Sequence, residues 1–395
     1  MEAFYRTHKY LVTHLGTPVR RGLMDEVDWS RRLIGIKGCR EIGKTTFLLS
    51  YAREYFAPDG RECLYVNLNN FIFTERTLTD FAGEFYANGG KVLLIDQIFK
   101  YPDWSRELRY CYDHYTNLRI VFTGSSVMRI KEENHEVGDI VAPYYLRGFS
   151  FREYLNLKTG LDLQPFSFDM LMRDRHLIAR DICDQVNPGE YFHDYLHHGF
   201  YPFFLEKRNY SENLLKMMNM TLEVDVLYIR QIEQRYLPKL RRLLYIISQN
   251  DSCTLNISQL SKDIGTSRAT VMNYLKYLKD ARMITLLYPR GEEFPQKPVY
   301  AYLYNPNLLH VMNRQTQDER TVNEAFFFNQ LLKDNRVNAY DRHNSFLVND
   351  RYLFRISYPE ARWKVSPDFY YAVDEVEPPL DEPNCIPLWM FGFLY

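Results

Sequence analysis

A glycine-rich loop, GCREIGKT at residues 38–45, follows the pattern Gly-x-x-x-x-Gly-Lys-Thr. Its flanks restrict the fold, because the apolar run at 33–36 indicates a buried strand and residues 47–52 indicate a helix. In such a strand–loop–helix unit, glycines let backbone N–H groups turn towards phosphate oxygens, and the helix N-terminus attracts the anion. A glycine-rich turn that binds nothing is the alternative, and the full motif with both flanks disfavours it. The sequence therefore predicts a site for ATP or GTP.

Two side chains of the loop have distinct expected roles. We expect Lys44 to reach the β- and γ-phosphates, and the Thr45 hydroxyl to occupy one coordination position of Mg²⁺. The nucleotide-binding residues that the motif predicts are Gly38, Cys39, Arg40, Ile42, Gly43, Lys44, Thr45 and Thr46. The expected cofactors are ATP and Mg²⁺.

A second chemical signal is the apolar run KVLLIDQ at 91–97, which ends in an acid. It indicates a buried central strand whose carboxyl end carries Asp96. In P-loop NTPases an Asp at this place orients Mg²⁺ opposite the hydroxyl of the loop. A strand followed by a helix cap is the alternative, and the preceding loop favours the metal role. We therefore assign Asp96 and Thr45 to the metal site and Gln97 to the catalytic position.

Two further apolar runs complete the predicted core. Residues 63–68 indicate the intervening strand, and residues 118–126 end in small hydroxylated residues. Thr123 is the candidate there for a catalytic group that senses the γ-phosphate, whereas an ordinary strand with a Gly/Ser turn is the alternative. Strands that alternate with helices over residues 30–130 indicate a parallel sheet with helices on both faces.

The composition limits the possible partners and compartments. The chain has 395 residues, of which 25% are charged and 46% apolar, as is ordinary for a globular protein of several domains. Its net charge of −1 provides no global basic field, so any nucleic-acid contact must be local. Six scattered cysteines without a CxxC pair indicate reduced thiols. Without an apolar run of about 18 residues or a signal-peptide core, we expect a cytoplasmic protein that has no membrane span.

Residues 253–300 carry a different pattern. Residues 257–265 and 268–282 indicate two helices, and residues 283–288 and 299–303 indicate a strand pair. Helix, turn, helix and then hairpin is the order of a winged helix-turn-helix.

The second of these helices presents candidate DNA-binding residues, namely Arg268, Asn273 and Lys276. The two basic side chains would contact phosphates, and Asn273 would contact a base. Glu292 and Glu293 in the wing would repel phosphate, so a winged helix that packs against protein is an equal alternative to one that binds duplex DNA.

Taken together, these patterns resemble a known family, the prokaryotic AAA-type P-loop ATPases with a winged helix and a C-terminal restriction-endonuclease-like domain of unknown function. The segments that carry the resemblance are residues 28–38, 38–45, 95–104, 122–126, 148–155 and 386–395. The resemblance implies an α/β fold whose parts are a P-loop NTPase core with a parallel sheet (1–150), a helical lid (151–240), a winged helix-turn-helix (241–303) and a small α/β nuclease-like domain (304–395).

The resemblance implies ATP hydrolysis, and we expect DNA, a protein partner or a homo-oligomer to receive its output. Three departures from the family bear on this chemistry. The family usually has Glu where this chain has Gln97, and Gln can orient a water but cannot accept its proton. An arginine common in the family is absent from residues 138–143, and Glu41 places an acid within the phosphate loop. We therefore expect tight nucleotide binding, slow turnover and a nucleotide-dependent switch. A non-hydrolysing ATP-dependent scaffold or regulator that uses the winged helix for protein contacts is the alternative. Two origins of Gln97 stay open. It is either the natural residue or an engineered substitution that traps the ATP-bound state.

The C-terminal region departs from the family in its nuclease residues. Ser345 stands where the family has a metal-binding Asp, and Arg355 stands where it has a Glu. Glu324, on the preceding helix, is the best remaining candidate acid. We therefore expect no working nuclease and a role for this region in partner recognition or oligomer closure.

Overall fold

A computed structural model describes residues 1–16, 19–206, 209–250, 253–312, 318–341, 345–356, 366–376 and 384–395. Within these ranges the chain forms two compact units, Met1–Arg147 and Gly148–Tyr395. Among the described helices, none combines the length and the apolar character needed to cross a membrane.

The first unit is built on a parallel sheet with the strand order β2-β3-β4-β1-β5. Its strands are β1 (Leu33–Gly38), β2 (Cys63–Asn67), β3 (Val92–Asp96), β4 (Arg119–Ser125) and β5 (Ala142–Tyr145). Strands β1 to β4 coincide with the predicted apolar runs, because strands buried on both faces of a parallel sheet are continuously apolar. The edge strand β5 was not predicted from the sequence, since it is short, half exposed and contains Pro143.

Helices and short 3₁₀ turns precede and connect these strands. The helices are α1 (Glu2–Thr13), α2 (Leu23–Glu26), α3 (Lys44–Tyr55), α4 (Leu78–Ala87), α5 (Trp104–His114) and α6 (His135–Gly138), and the 3₁₀ turns are Phe71–Thr74 and Ile98–Lys100. Helix α1 is fixed to the sheet by the buried His8, whose Nδ1 accepts a hydrogen bond of 3.0 Å from the backbone N–H of Tyr65 in β2.

The strand order brings distant segments to one edge of the sheet. Strand β4 lies between β1 and β3, with Thr123 in register with Ile36 of β1. On the other side of β3, Asp96 is in register with Asn67 of β2. Because all these strands are parallel, their carboxyl ends meet, and ligands of open α/β sheets bind at that edge. The phosphate loop and Asp96 therefore belong to the same site.

The second unit begins with a helical region. Its helices up to residue 248 are α7 (Phe151–Thr159), α8 (Phe168–Cys183), α9 (Gly189–His198), α10 (Tyr210–Met220), α11 (Leu227–Ile229) and α12 (Leu237–Ser248). A capping box formed by Ser150 and Glu153 starts α7, and a π-helical segment at Thr221–Val226 joins α10 to α11. The region predicted as a lid is thus helical, whereas its role as a lid stays a prediction.

A helix–turn–helix and a hairpin follow in the same unit. The helices are α13 (Ile257–Asp263) and α14 (Arg268–Asp280), and the antiparallel strands are β6 (Ile284–Leu287) and β7 (Tyr300–Leu303). Ser267 caps α14 by accepting a hydrogen bond from the backbone N–H of Thr270. These elements occur where the sequence predicts them, and their identity as a winged helix stays a prediction.

The chain ends in a mixed sheet with the order β12-β11-β10-β9-β8. Its elements are α15 (Pro306–Met312), α16 (Glu319–Leu331), β8 (Val337–Ala339), β9 (Ser345–Val348), β10 (Tyr352–Ile356), β11 (Tyr370–Val373) and β12 (Cys385–Pro387). Strands β8 to β10 are antiparallel, and β10 to β12 are parallel. Helix α16 is buried on every side from Thr321 to Leu331, as befits a central helix. An α/β architecture is therefore present here, and its likeness to a nuclease stays a prediction.

Candidate functional site

The phosphate loop joins β1 to α3 through a tight turn that depends on both motif glycines. Gly43 has φ +92°, a left-handed conformation that glycine adopts without a steric penalty. A Cβ atom on Gly38 would lie 2.6 Å from the carbonyl oxygen of Leu146, so no side chain fits there. The buried side chain of Ile42 anchors the middle of the loop. The turn therefore has the backbone shape that a phosphate cradle needs.

The ammonium of Lys44 folds back over the loop. Its Nζ donates to the carbonyl oxygens of Gly38 at 3.0 Å and of Cys39 at 2.6 Å. Phosphate oxygens would compete well for this ammonium, because hydrogen bonds between charged groups are stronger than those to a neutral carbonyl. Lys44 therefore lies at the mouth of the loop, in a position that agrees with its expected contact with the β- and γ-phosphates.

The remaining predicted loop residues differ in exposure. Cys39 is buried, and its Sγ lies 3.2 Å from the hydroxyl oxygen of Tyr145. Arg40 is half-buried, and Thr46 is exposed in the first turn of α3. Glu41 is exposed with φ +56°, so water solvates its charge beside the phosphate cradle.

Asp96 is a buried carboxylate held by hydroxyl groups from different elements. It is only 1% exposed. Its Oδ2 accepts hydrogen bonds from the hydroxyl of Thr45 at 2.6 Å and from the phenol of Tyr65 at 2.8 Å. Its Oδ1 accepts a short hydrogen bond from Thr123. These bonds compensate the cost of burying the charge and fix both oxygens of the carboxylate.

Thr123 connects Asp96 with Gln97. The backbone N–H of Gln97 donates to the Thr123 hydroxyl oxygen at 2.9 Å, so the hydroxyl hydrogen is available for Asp96. Thr123 is completely buried, which places it behind Asp96 as a support. The geometry of Thr123 thus suits a residue that positions Asp96. It does not suit the predicted catalytic contact with a phosphate, because the side chain is not exposed.

Gln97 lies at the rim of the site in a left-handed conformation, with φ +61°. The side-chain amide of Asn69, which follows β2, donates to Gln97 Oε1 at 2.8 Å. This bond directs the amide nitrogen of Gln97 away from Asn69. The nitrogen is a donor only, so Gln97 can bind a phosphate or water oxygen but cannot take a proton from water.

The residues present fit a magnesium ion. Mg²⁺ prefers oxygen ligands and keeps several waters in its shell. Because Thr45 gives its hydroxyl hydrogen to Asp96, the lone pairs of the Thr45 oxygen remain for a cation. Asp96 Oδ1 accepts from Thr123 alone among the described side chains, and it therefore retains capacity for a metal-bound water. Thr45 and Asp96 are the residues that would hold the ion.

The segment where the family arginine is absent has a structural role in this chain. Asp139 accepts bonds of 3.0 Å from the Arg109 guanidinium of α5 on both carboxylate oxygens. The chain then enters the edge strand β5 at Ala142. No arginine in this segment is therefore available to stabilise charge on a transferred phosphate.

The candidate DNA-binding residues of the second unit are not equivalent. Arg268 and Asn273 are exposed on α14. Lys276 is half-buried, and its Nζ lies 4.6 Å from the ring centroid of Phe294 in the loop between β6 and β7, which is the predicted wing. This is a cation–π contact. The wing thus covers Lys276, and Arg268 is the more accessible cation.

The wing is fixed to the C-terminal sheet. The backbone N–H of Ala339 in β8 donates to the carbonyl oxygen of Tyr288 at 2.9 Å. Asn338 adds hydrogen bonds of 3.3 Å to the carbonyls of Tyr288 and Pro289. Arg290 forms an ion pair of 2.8 Å with Asp350 in the turn after β9. These contacts use the wing for packing within the unit.

The nuclease positions contain no metal-binding set. Arg355 of β10 is in register with Ser345 of β9, and its Nε donates to the Ser345 hydroxyl at 3.1 Å. Glu324 is buried on α16, with Oε1 3.9 Å from Nε of Arg320. Burial raises the pKa of Glu324 to about 7. Across the described residues, no cluster of three or more His, Cys, Asp or Glu side chains is suited to a metal.

Sequence reasoning missed Tyr65 and Asn69. Tyr65 stands in an otherwise apolar strand run, where a phenol signals a polar partner. Its partner Asp96 becomes identifiable only when β2 is known to lie beside β3. Asn69 had no comparable signal, because its contact with Gln97 depends on the turn that follows β2.

Two separate ranges of the chain match family models. Residues 30–155 match the AAA domain family, which covers the phosphate loop and the strands β1 to β5. Residues 189–319 match a domain of unknown function (DUF8612), which covers the helix–turn–helix and the hairpin.

Two proteins of Methanocaldococcus jannaschii are similar in sequence to part of the chain. The uncharacterized protein MJ1637 is 24% identical over 277 residues, which is 66% of this chain and 58% of that protein. The uncharacterized protein MJ1544 is 24% identical over 274 residues, which is 64% of this chain and 55% of that protein. The matched part of the chain thus spans less than two thirds of each relative.

Solved structures also overlap with the chain at low similarity. Caenorhabditis elegans PCH-2 has 15% identity and a TM-score of 0.26, with 70% of this chain and 66% of that chain covered. Domain III of the Thermotoga maritima replication initiation protein DnaA has 16% identity and a TM-score of 0.22, with 67% and 90% covered. Such TM-scores are too low to support a conclusion. The assignment of an AAA-type domain therefore rests on the family match and on the geometry of the loop. The resemblance to AAA-type proteins is confirmed for this part of the chain: residues 30–155 form an AAA-type domain.

Proposed function

We propose that this chain binds Mg-ATP through its AAA-type domain and acts as a nucleotide-dependent switch with slow hydrolysis. The observation that carries the proposal is the 2.6 Å hydrogen bond from Thr45 in the phosphate loop to Asp96 at the end of β3. It joins the two residues that a P-loop NTPase uses to hold Mg²⁺. Lys44, at the mouth of the same loop, would bind the β- and γ-phosphates.

Slow hydrolysis follows from the chemistry of Gln97. A water that attacks the γ-phosphate loses a proton, and a positioned base contributes about 10²–10⁴-fold to such a step. The Gln97 amide accepts no proton, and its oxygen accepts a hydrogen bond from Asn69. Binding therefore needs no group that the chain lacks, whereas fast turnover does.

The output of the switch has two candidates. The exposed Arg268 and Asn273 of α14 favour contact with duplex DNA. The fixed wing and the acidic Glu292 and Glu293 favour the second candidate, an ATP-dependent scaffold or regulator that uses this region for protein contacts. A protein partner or further copies of the chain would then receive the signal.

The first experiment measures the affinity of the full chain for a fluorescent ATP analogue with and without Mg²⁺. Lys44→Ala should weaken binding by about ten- to a hundred-fold, because it removes charge-assisted bonds to phosphate. Lys91→Ala is the matched control, since Lys91 is exposed near the amino end of β3 and pairs with Glu62. Equal affinity in Lys44→Ala and wild type, or no binding by the wild type, would contradict the proposal.

A further inference from the structure

A buried phenol lies beside the proposed metal site. Tyr65 is 6% exposed in β2, and its hydroxyl donates to Asp96 Oδ2 at 2.8 Å. In the register of the sheet, Asp96 pairs with Asn67, two residues after Tyr65, so the phenol reaches the carboxylate diagonally across the strand pair. Phenylalanine would fill nearly the same volume without making this bond.

The position of Tyr65 is fixed from several sides. Its backbone N–H donates to Nδ1 of His8 at 3.0 Å, which attaches this point of β2 to α1. Its buried side chain donates to Asp96 Oδ2 from this fixed point of the strand. The phenol is therefore an oriented donor towards Asp96.

As a result, the two carboxylate oxygens of Asp96 accept different numbers of hydrogen bonds. Oδ2 accepts from Tyr65 at 2.8 Å and from Thr45 at 2.6 Å, which fills its acceptor capacity. Among the described residues, Oδ1 accepts from Thr123 only. Without the phenol, Oδ2 would have an open acceptor position, and the carboxylate could hold a metal-bound water in more than one arrangement.

We propose that Tyr65 is a positioning residue of the metal site, which orients Asp96 so that Oδ1 serves the shell of a divalent cation bound with ATP. The proposal rests on the proposed Mg-ATP function. Partners that orient metal-site ligands are commonly worth about 10–100-fold in metal affinity. A purely structural phenol would instead affect the fold and nucleotide binding whether or not metal is present.

The test compares Tyr65→Phe with wild type in Mg²⁺ titrations of fluorescent ATP binding, and with Mn²⁺ monitored by electron paramagnetic resonance. Tyr51→Phe is the matched control, because Tyr51 is also buried and its hydroxyl accepts a hydrogen bond from Arg119 in the same unit. We expect Tyr65→Phe to raise the half-saturating concentration of either cation on the order of ten-fold. The affinity of Tyr65→Phe for the nucleotide in EDTA should stay within about two-fold of the wild-type value. For Tyr51→Phe, both the nucleotide affinity and the half-saturating cation concentration should stay within about two-fold of wild type.

The outcomes separate this proposal from the one on which it rests. If wild type binds ATP with a metal dependence and Tyr65→Phe needs the same Mg²⁺ concentration, the positioning role of Tyr65 is wrong and the proposed function stands. Equal losses of nucleotide affinity with and without metal, or an unfolded Tyr65→Phe, would also overturn the positioning role. If wild type binds no ATP at all, the proposed function fails and this inference fails with it.

Discussion

The chemistry of the AAA-type domain is concentrated around the carboxylate of Asp96. Hydroxyl groups from the phosphate loop, β2 and β4 hold it, and the N–H of Gln97 holds one of those hydroxyls in turn. A buried carboxylate whose two oxygens both accept hydrogen bonds keeps one orientation, which a metal site requires. At the scale of residues, the chain therefore places the residues proposed to bind Mg-ATP beside a position that carries no base.

Glu324 in the second unit is a buried carboxyl whose titration affects stability. Arg320, Asp318, Tyr302 and Cys253 face it, and burial raises its pKa from 4.5 to about 7. The unfolded chain therefore releases this proton at a lower pH than the folded chain does. Its stabilising contribution is complete below about pH 4.5 and is lost as the pH rises to about 7.

We predict that Glu324→Gln removes most of this pH dependence. Between pH 5 and pH 8, wild type should lose up to about 3 kcal/mol of unfolding free energy more than the variant does. Urea unfolding at several pH values measures the difference. Glu319→Gln, at an exposed position of the same helix, is the control and should follow wild type. Parallel curves for wild type and Glu324→Gln would contradict a raised pKa at Glu324.

At the scale of elements, α14 exposes residues that are candidates for DNA contact, and the hairpin that follows it packs against the C-terminal sheet. Arg268 lies in the first turn of α14 and is exposed, whereas Lys276 stacks on Phe294 of the wing. Removing Lys276 would therefore disturb the hairpin as well as any DNA contact. Arg268 gives the cleaner test of the two.

If α14 binds duplex DNA, Arg268→Ala should weaken binding across all sequences. The slope of log affinity against log salt should fall by about 1, because one phosphate contact is lost. Fluorescence anisotropy at several salt concentrations measures both quantities. Arg173→Ala removes an exposed charge from α8 and is the control. Binding that is absent or independent of salt would favour the protein-contact role of this region.

How far these elements could be predicted depends on how local their signals are. The runs that became β1 to β4 were recognisable because buried parallel strands are continuously apolar, and the glycine-rich motif marked the loop after β1. The contacts of Tyr65 and Asn69 were not, because they depend on β2 lying beside β3. Ser345 and Arg355 indicated an altered nuclease position, and their mutual hydrogen bond appears only in the paired strands.

At the scale of the whole molecule, a nucleotide-dependent switch needs the state of the AAA-type domain to affect Gly148–Tyr395. Because Gln97 provides no base, the signal should arise from binding of ATP and not from its turnover. The bond between Asn69 and Gln97 connects the nucleotide site with the segment after β2.

We therefore predict that ATP and its β,γ-imido analogue change hydrogen exchange in the same way. Both should protect the phosphate loop and residues 68–76, and both should alter exchange in the second unit, whereas ADP should have a smaller effect. Exchange measured by mass spectrometry on the full chain gives these patterns. Changes confined to the first unit would contradict a switch, and changes with ATP alone would show that hydrolysis drives it.

The most direct test of the central claim is the steady-state ATPase rate of this chain beside Gln97→Glu, with Lys44→Ala as the blank. The carboxylate supplies a general base at the position where Gln97 supplies none, so the rate should rise on the order of a hundred-fold. Affinity for Mg-ATP should change little, because Lys44, Thr45 and Asp96 are untouched. A wild-type rate already at about 1 s⁻¹ or more, or no gain in Gln97→Glu, would contradict the account.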